Sequence, residues 1–266
     1  SGGCGKTFTL NVLIKKLYAK YGKTQIGVTS STGLSALNIG GITLHSYTNI
    51  GIMDKSFEEI IKFIKENNFY YNRWINTKIL IIDEISMINS DTFDFIDQIA
   101  REIRKNKKPF GGIQLVLSGD FLQLKPVKGN YAFESKVWEL VVEKYVMLKT
   151  PYRQKDKYFI DGLNKMRFGE IDSEFYDYII RLARPIKYND GEEPTKLFAT
   201  VNEVEICNRN KLNDLSGKNL LFEAEEWSVA KNNNSRNQKP THEELIEWLD
   251  KSTLSETRIN LKIGAQ

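Results

Sequence analysis

The sequence predicts an α/β protein, a parallel sheet with helices on both faces, and three observations carry that prediction. Short apolar runs at residues 26–29, 79–82, 113–117, 145–148 and 197–200 alternate with stretches whose apolar residues recur at helical spacing. Parallel strands need long crossover connections and are buried on both sides, so this alternation is their signature. A glycine-rich turn, SGGCGKT at residues 1–7, opens directly into the first helical stretch, and KILIIDE at 78–84 ends an apolar strand in two adjacent acids. At 266 residues, 41% of them hydrophobic, the chain is long and apolar enough to bury a substantial core.

The turn contains all of the GxxxxGK[ST] pattern except its first glycine, which would precede Ser1, so the chain is expected to be a fragment. In such a loop Gly2, Gly3 and Gly5 let the backbone curl so that successive amides face phosphate oxygens, and the following helix adds the positive end of its dipole. Lys6 then reaches the β- and γ-phosphates of ATP while the Thr7 hydroxyl meets Mg2+. Cys4 and Phe8 are counted with the loop as nucleotide contacts. The competing reading is a plain glycine turn before a helix. The helix itself is expected, because Leu10, Leu13, Ile14 and Leu17 share one face and Gly22 supplies a stop.

Residues 48–74, mixed in pattern and rich in aromatics and lysine, read as a small insertion and not as a core element. The strand at 79–82 then presents Asp83 at its tip, placed to hold Mg2+ through water, and Glu84, placed to polarise the water that attacks the γ-phosphate. The same two acids would also serve as cap and first-turn acids for an element starting near Ile85. Their pairing with Lys6 and Thr7 favours the catalytic reading. Phe93, Ile96, Ile99, Ala100 and Ile103 form a helical stripe within residues 90–109. Arg101, Arg104, Lys105, Lys107 and Lys108 follow it, either lining a nucleic-acid track or solvated at a helix end, and the second reading is favoured.

SGDFLQLKPV at 118–127 follows the next strand and sets Asp120 and Gln123 at the carboxyl edge of the sheet, where ligands gather. Gln123 is placed to contact the γ-phosphate and the attacking water. Thr150 and Pro151 break the pattern after Lys149, giving a first lobe at 1–149 and a partial second lobe at 150–266, with helices at 155–167 and 173–183. Arg153, in PYRQKD, is the candidate arginine finger reaching across the cleft, a charge worth roughly 10³ to 10⁵ in rate. Residues 231–239, KNNNSRNQK, read as a flexible loop, and Thr241 with Glu244 as a capping box opening a helix through Leu249.

Composition excludes several classes. Cys4 and Cys207, the only cysteines, support neither a disulfide framework nor a zinc site and fit a reducing, intracellular setting. No run of eighteen apolar residues is present, which argues against a membrane span. A net charge of +4, from 38 basic and 34 acidic residues, permits a nucleic-acid partner without demanding one.

Taken in order, SGGCGKT, TSSTGLSALNIGGITLHS at 29–46, LIIDEISM at 80–87, GDFLQLKPV and PYRQKD resemble the petite-integration-frequency (PIF) helicases, RecD relatives in helicase superfamily one. The resemblance continues through ATVNEVEICNRNKL at 199–212 and resumes at LKIGAQ, 261–266. It implies RecA-like lobes with ATP and Mg2+ between them, and a DNA helicase moving 5′ to 3′ on single-stranded DNA. Forked or tailed duplexes would be its substrates, and DNA repair, recombination or telomere maintenance its setting, in the nucleus or mitochondrion if eukaryotic. Ser31, Thr32, Gly33 and His45 match the family's DNA-contacting motifs, although a hydrogen-bonded loop histidine would read the same as His45. Lys125 departs from the family's usual proline, and the later second-lobe motifs are expected beyond Gln266. Two other classes stay in view: an ATP-dependent clamp or scaffold on single-stranded DNA that unwinds nothing, and a GTPase switch, disfavoured because no NKxD motif is present.

Overall fold

The structure, a computed structural model, describes residues 2–51, 55–184, 194–225 and 257–265. It divides into two compact units, Ser1–Arg184 and Pro185–Gln266. In the first, α1 (Lys6–Tyr21) leaves the glycine turn, buries Leu10 and Ile14, and stops at Gly22. Gly22 has φ 82° and its N–H donates to the Tyr18 carbonyl, a termination that a residue with a side chain would resist. The chain continues through β1 (Ile26–Ser30), α2 (Gly33–Asn38), β2 (Ile42–Thr43), α3 (Leu44–Thr48), α4 (Phe57–Glu66) and α5 (Asn68–Asn76). Then come β3 (Ile79–Asp83), α6 (Ser90–Arg104), β4 (Gln114–Leu117), α7 (Trp138–Val141), α8 (Lys157–Arg167) and α9 (Ser173–Leu182).

The four strands form one parallel sheet in the order β2-β1-β3-β4, as the alternating pattern predicts. Both central strands are buried along their whole length. Because side chains alternate along a strand, Ile79 and Ile81 face the cluster built on Leu10 and Ile14, while Leu80 and Ile82 face the one built on α4, α5 and α6. Helices therefore cover both faces. The predicted stripe of α6 is correct in full, since Phe93, Ile96, Ile99, Ala100 and Ile103 are all buried.

Three expectations are corrected. Residues 145–148 and 197–200 are not strands: among the described residues no strand pairs with them, and Tyr145, Val146 and Leu197 stand open to solvent. An apolar run becomes a strand only where a neighbour completes its ladder. Residues 48–74 are not peripheral, for α4 and α5 send Ile60, Ile64 and Trp74 into the larger core cluster. Ser56 and Glu59 cap α4 reciprocally, Ser56 Oγ accepting from the Glu59 amide and Glu59 accepting from the Ser56 amide.

In the second unit, α10 (Val201–Asp214) begins at a capping box of Thr200 and Glu203. Lys262 Nζ donates to the carbonyls of Asn213 and Leu215 at its other end, where cations are favoured. Strands β5 (Leu220–Glu223) and β6 (Arg258–Leu261) pair antiparallel. Ser1, the loop at 231–239, the helix expected from Thr241 and Glu244 to Leu249, and Gln266 lie outside the described residues. Among the described residues no helix is long and apolar enough to cross a membrane.

Candidate active site

The parallel register brings the ends of the strands into one row. Ser30 of β1 is level with Thr43 of β2 on one side and Asp83 of β3 on the other. Ser30 Oγ and the Ser31 amide both donate to the Asp83 carbonyl, each at 3.2 Å, and the Ile85 amide donates to the Ser118 carbonyl at 3.0 Å. Four segments that carried sequence motifs thus leave the sheet at a common carboxyl edge.

The glycine loop is walled by one of them, the segment after β4, and by residues 152–154. Gly3 has φ 74° and Gly5, the N-cap of α1, has φ 81°, both in the left-handed region. Gln123 Nε2 stands 3.5 Å from where a Gly2 Cβ would lie. A Cβ on Gly3 would come within 2.8 Å of Arg153 Cβ and 3.2 Å of Gln154 Oε1. One on Gly5 would meet the Tyr152 ring at 3.8 Å, and the Tyr152 amide donates to the Gly3 carbonyl at 2.9 Å. Cys4 is buried with Sγ 3.9 Å from the Gly2 carbonyl, whereas Thr7 and Phe8 are exposed on the first turn of α1.

The charges converge as well. Asp83 is buried, and its Oδ1 has no hydrogen-bond partner among the described residues. Glu84 follows in the left-handed region at φ 52°. Burial pushes the Glu84 carboxyl above its ordinary range, the neighbouring charge of Asp83 adds to this, Lys6 opposes it, and Asp120 contributes a further rise. Burial pushes Asp120 up too, but the Leu122 amide and the surrounding positive charges, Arg167 and Lys6 among them, outweigh it, so its carboxyl sits below the usual range. Lys6 therefore acts electrostatically on both acids. An orphaned, buried carboxylate oxygen suits a divalent cation, and Mg2+ commonly takes only one or two protein oxygens beside substrate phosphates. The Asp83 carboxylate fits that description.

Gly2, Gly3, Cys4, Gly5, Lys6, Asp83, Glu84, Gln123 and Arg153 are thus brought together. Ser31 joins them through Asp83, and among the described residues its hydroxyl is buried without a partner. Thr32 caps α2, its Oγ1 accepting from the Ser35 amide at 3.3 Å, and Gly33 faces open space. His45 lies half-buried in α3, and burial pushes its imidazole below the ordinary histidine value, so it is neutral near pH 7.

Sequence reasoning missed the partners of four arginines. Arg167 pairs with Asp120 at 2.8 Å across 47 positions of sequence. Arg73 donates to the carbonyls of Ser46 and Tyr47, next to His45, and stacks on Tyr47, Phe69 and Tyr70. Arg104 donates to the carbonyls of Trp74, Ile75, Thr77 and Gly111, and Arg101 pairs with Asp97 at 2.8 Å, so these two are structural and not strand-track residues. Asp97 and Arg101 stand four apart on one helix, a local pattern that was readable, whereas no local pattern marks the partners of Arg167, Arg73 or Arg104.

The family model described as PIF1-like helicase matches residues 1–177. The ATP-dependent DNA helicase RRM3 of Saccharomyces cerevisiae is 45% identical over 231 residues, covering 84% of this chain and 32% of the relative. The crystal structure of Pif1 helicase from Candida albicans superposes with a TM-score of 0.86 at 39% identity, covering 98% of this chain and 58% of that one. A Bacteroides Pif1 helicase in complex with ADP-AlF3 and single-stranded DNA superposes at 0.70 with 26% identity, over 98% of this chain and 58% of that one. The chain spans about a third of the length of the curated relatives it matches. On sequence and on fold alike, the chain belongs to the PIF1-like helicase family.

Proposed function

We propose that this chain forms the nucleotide-hydrolysing part of an ATP-dependent DNA helicase that couples turnover to 5′ to 3′ movement on single-stranded DNA and to unwinding of forked or tailed duplexes. The observation that carries this reading is the meeting of Gln123 and the 152–154 segment on the glycine loop, beside two acids that feel the Lys6 charge. The amides of residues 2–8 and Lys6 hold the phosphates, and Thr7 and Asp83 hold Mg2+, which when bound neutralises charge on the phosphate oxygens. Glu84, raised in pKa, accepts a proton from the attacking water; Gln123 orients that water, and Arg153 answers the charge that develops at the γ-phosphate. Ser31, Thr32, Gly33 and His45 contact the DNA backbone from the same sheet edge.

The division into a first RecA-like lobe at 1–149 and the start of a second at 150–266 belongs to the same proposal, supported by the break at Thr150 and Pro151. So do a nuclear or mitochondrial setting and a role in repair, recombination or telomere maintenance, supported by the fungal and animal helicases among the relatives. In the full-length protein, Lys6→Ala is expected to abolish DNA-stimulated ATP hydrolysis and strand displacement on a tailed duplex. Wild-type turnover in that variant would overturn the site. Hydrolysis without displacement by the wild-type protein would favour the clamp instead.

A further inference from the structure

Arg167 is the last residue of α8, and its Nη2 lies 2.8 Å from Asp120 Oδ1. Both side chains are largely withdrawn from water, at 22% and 6% exposure. The same carboxylate receives the Leu122 amide on Oδ1 at 3.2 Å and Gln123 Nε2 on Oδ2 at 3.1 Å. An ionised carboxylate only accepts, so the amide nitrogen of Gln123 must face it. That same Nε2 lies 3.5 Å from the Gly2 Cβ position, so the Asp120 contact holds the Gln123 amide beside the glycine loop and leaves its second N–H and its carbonyl oxygen without a share in that contact. Gln123 is otherwise exposed, which makes Asp120 its anchor.

Asp120 carries a charge that would oppose an incoming polyphosphate, since Asp83 and Glu84 already crowd the same edge. A guanidinium is always protonated, so Arg167 cancels that charge and, through its contact on Oδ1, tethers the carboxylate. Among the described residues Arg167 Nη1 is buried without a hydrogen-bond partner, so no second acceptor draws that nitrogen away from Asp120. We propose that Arg167 is a positioning residue for hydrolysis: by holding and neutralising Asp120 it sets the Gln123 amide over the glycine loop, making the seating of α8 a determinant of turnover. The inference rests on the reading of Gln123 as the water and γ-phosphate contact.

A double-mutant cycle in the full-length protein tests it, with DNA-stimulated ATP hydrolysis measured for Arg167→Met, Gln123→Ala and the pair. Arg167→Met is expected to lower kcat by about tenfold while KM for ATP moves less than about threefold, because it acts on orientation and not on ground-state binding. In the Gln123→Ala background the same change should cost less than about twofold, the non-additivity of groups acting as one unit. Arg167→Lys, keeping the charge but not the planar guanidinium, should fall between wild type and Arg167→Met. Equal losses with and without Gln123, or unchanged kcat in Arg167→Met, would overturn the proposal. If Arg167→Met does not fold, Arg167→Lys takes its place in the cycle; loss of fluorescent ADP binding in both variants makes the role structural and likewise overturns it. Lys6→Ala is run alongside: if it keeps turnover, the nucleotide-site reading fails, an outcome distinct from any result at Arg167.

Discussion

Gly3 and Arg153, far apart in sequence, are in van der Waals contact across the glycine loop: a methyl group on Gly3 would stand 2.8 Å from Arg153 Cβ. The Tyr152 amide, donating to the Gly3 carbonyl at 2.9 Å, holds the two segments together. Gly3→Ala therefore meets two penalties at once. Its φ of 74° costs a side-chain-bearing residue about 1–2 kcal/mol, and the new methyl displaces the arginine-bearing segment from the loop. Reduced thermal stability and weakened binding of a fluorescent ATP analogue are expected. Wild-type affinity in Gly3→Ala would mean that contact with the 152–154 segment is irrelevant to the site.

Arg104 tests whether the basic end of α6 serves DNA or the fold. Its guanidinium satisfies the carbonyls of Trp74, Ile75 and Thr77, which end α5, together with Gly111. Leaving such acceptors unpaired costs about 1–3 kcal/mol, so Arg104→Met should lower the melting temperature. The dependence of single-stranded DNA affinity on salt should stay as in wild type. A phosphate contact would instead reduce the log–log salt slope by about 1 when removed.

Ile64 carries the correction to the reading of residues 48–74. It is fully buried in the larger core cluster, and Ile64→Ala should cost about 2–5 kcal/mol in denaturant unfolding, the range for large-to-small changes in a packed core. A peripheral insertion would tolerate the change with a loss within about 0.5 kcal/mol.

What was legible in the sequence follows the range of the forces involved. KILIIDE announced β3 and its two acids because burial on both faces and a charged tip are written in consecutive residues. The α6 stripe was equally plain, its period set by the helix itself. Ser56 and Glu59 spelled a capping box inside SFEE, a local signal that was present and that the aromatic, lysine-rich surroundings masked. Residues 145–148 have the composition of a strand, but a strand is a relation between two segments, and composition names only one. The site divides in the same way. Lys6, Asp83, Glu84 and Gln123 stand in motifs that chemistry fixes at short range, whereas the pairing of Arg167 with Asp120 spans 47 positions and exists only once α8 is folded.

Glu84 yields a prediction in which stability and activity move in opposite directions. Burial, then the Asp83 charge, raises its pKa in the folded chain above the unfolded value, so the folded state prefers the protonated form. Any stability this group contributes is thus present below the unfolded pKa and is lost as pH rises through the folded one. Near pH 7 the ionised carboxylate is a net burden on folding, and Glu84→Gln should raise the melting temperature there, an advantage that disappears in acid where wild-type Glu84 is protonated in both states. Turnover runs the other way, because accepting a proton from water requires the ionised form: wild-type kcat should fall at a less acidic pH than an ordinary glutamate would give. Glu84→Gln should lose about 10²-fold or more in kcat and show no such inflection. A variant both active and unchanged in its acid limb would remove Glu84 from the chemistry.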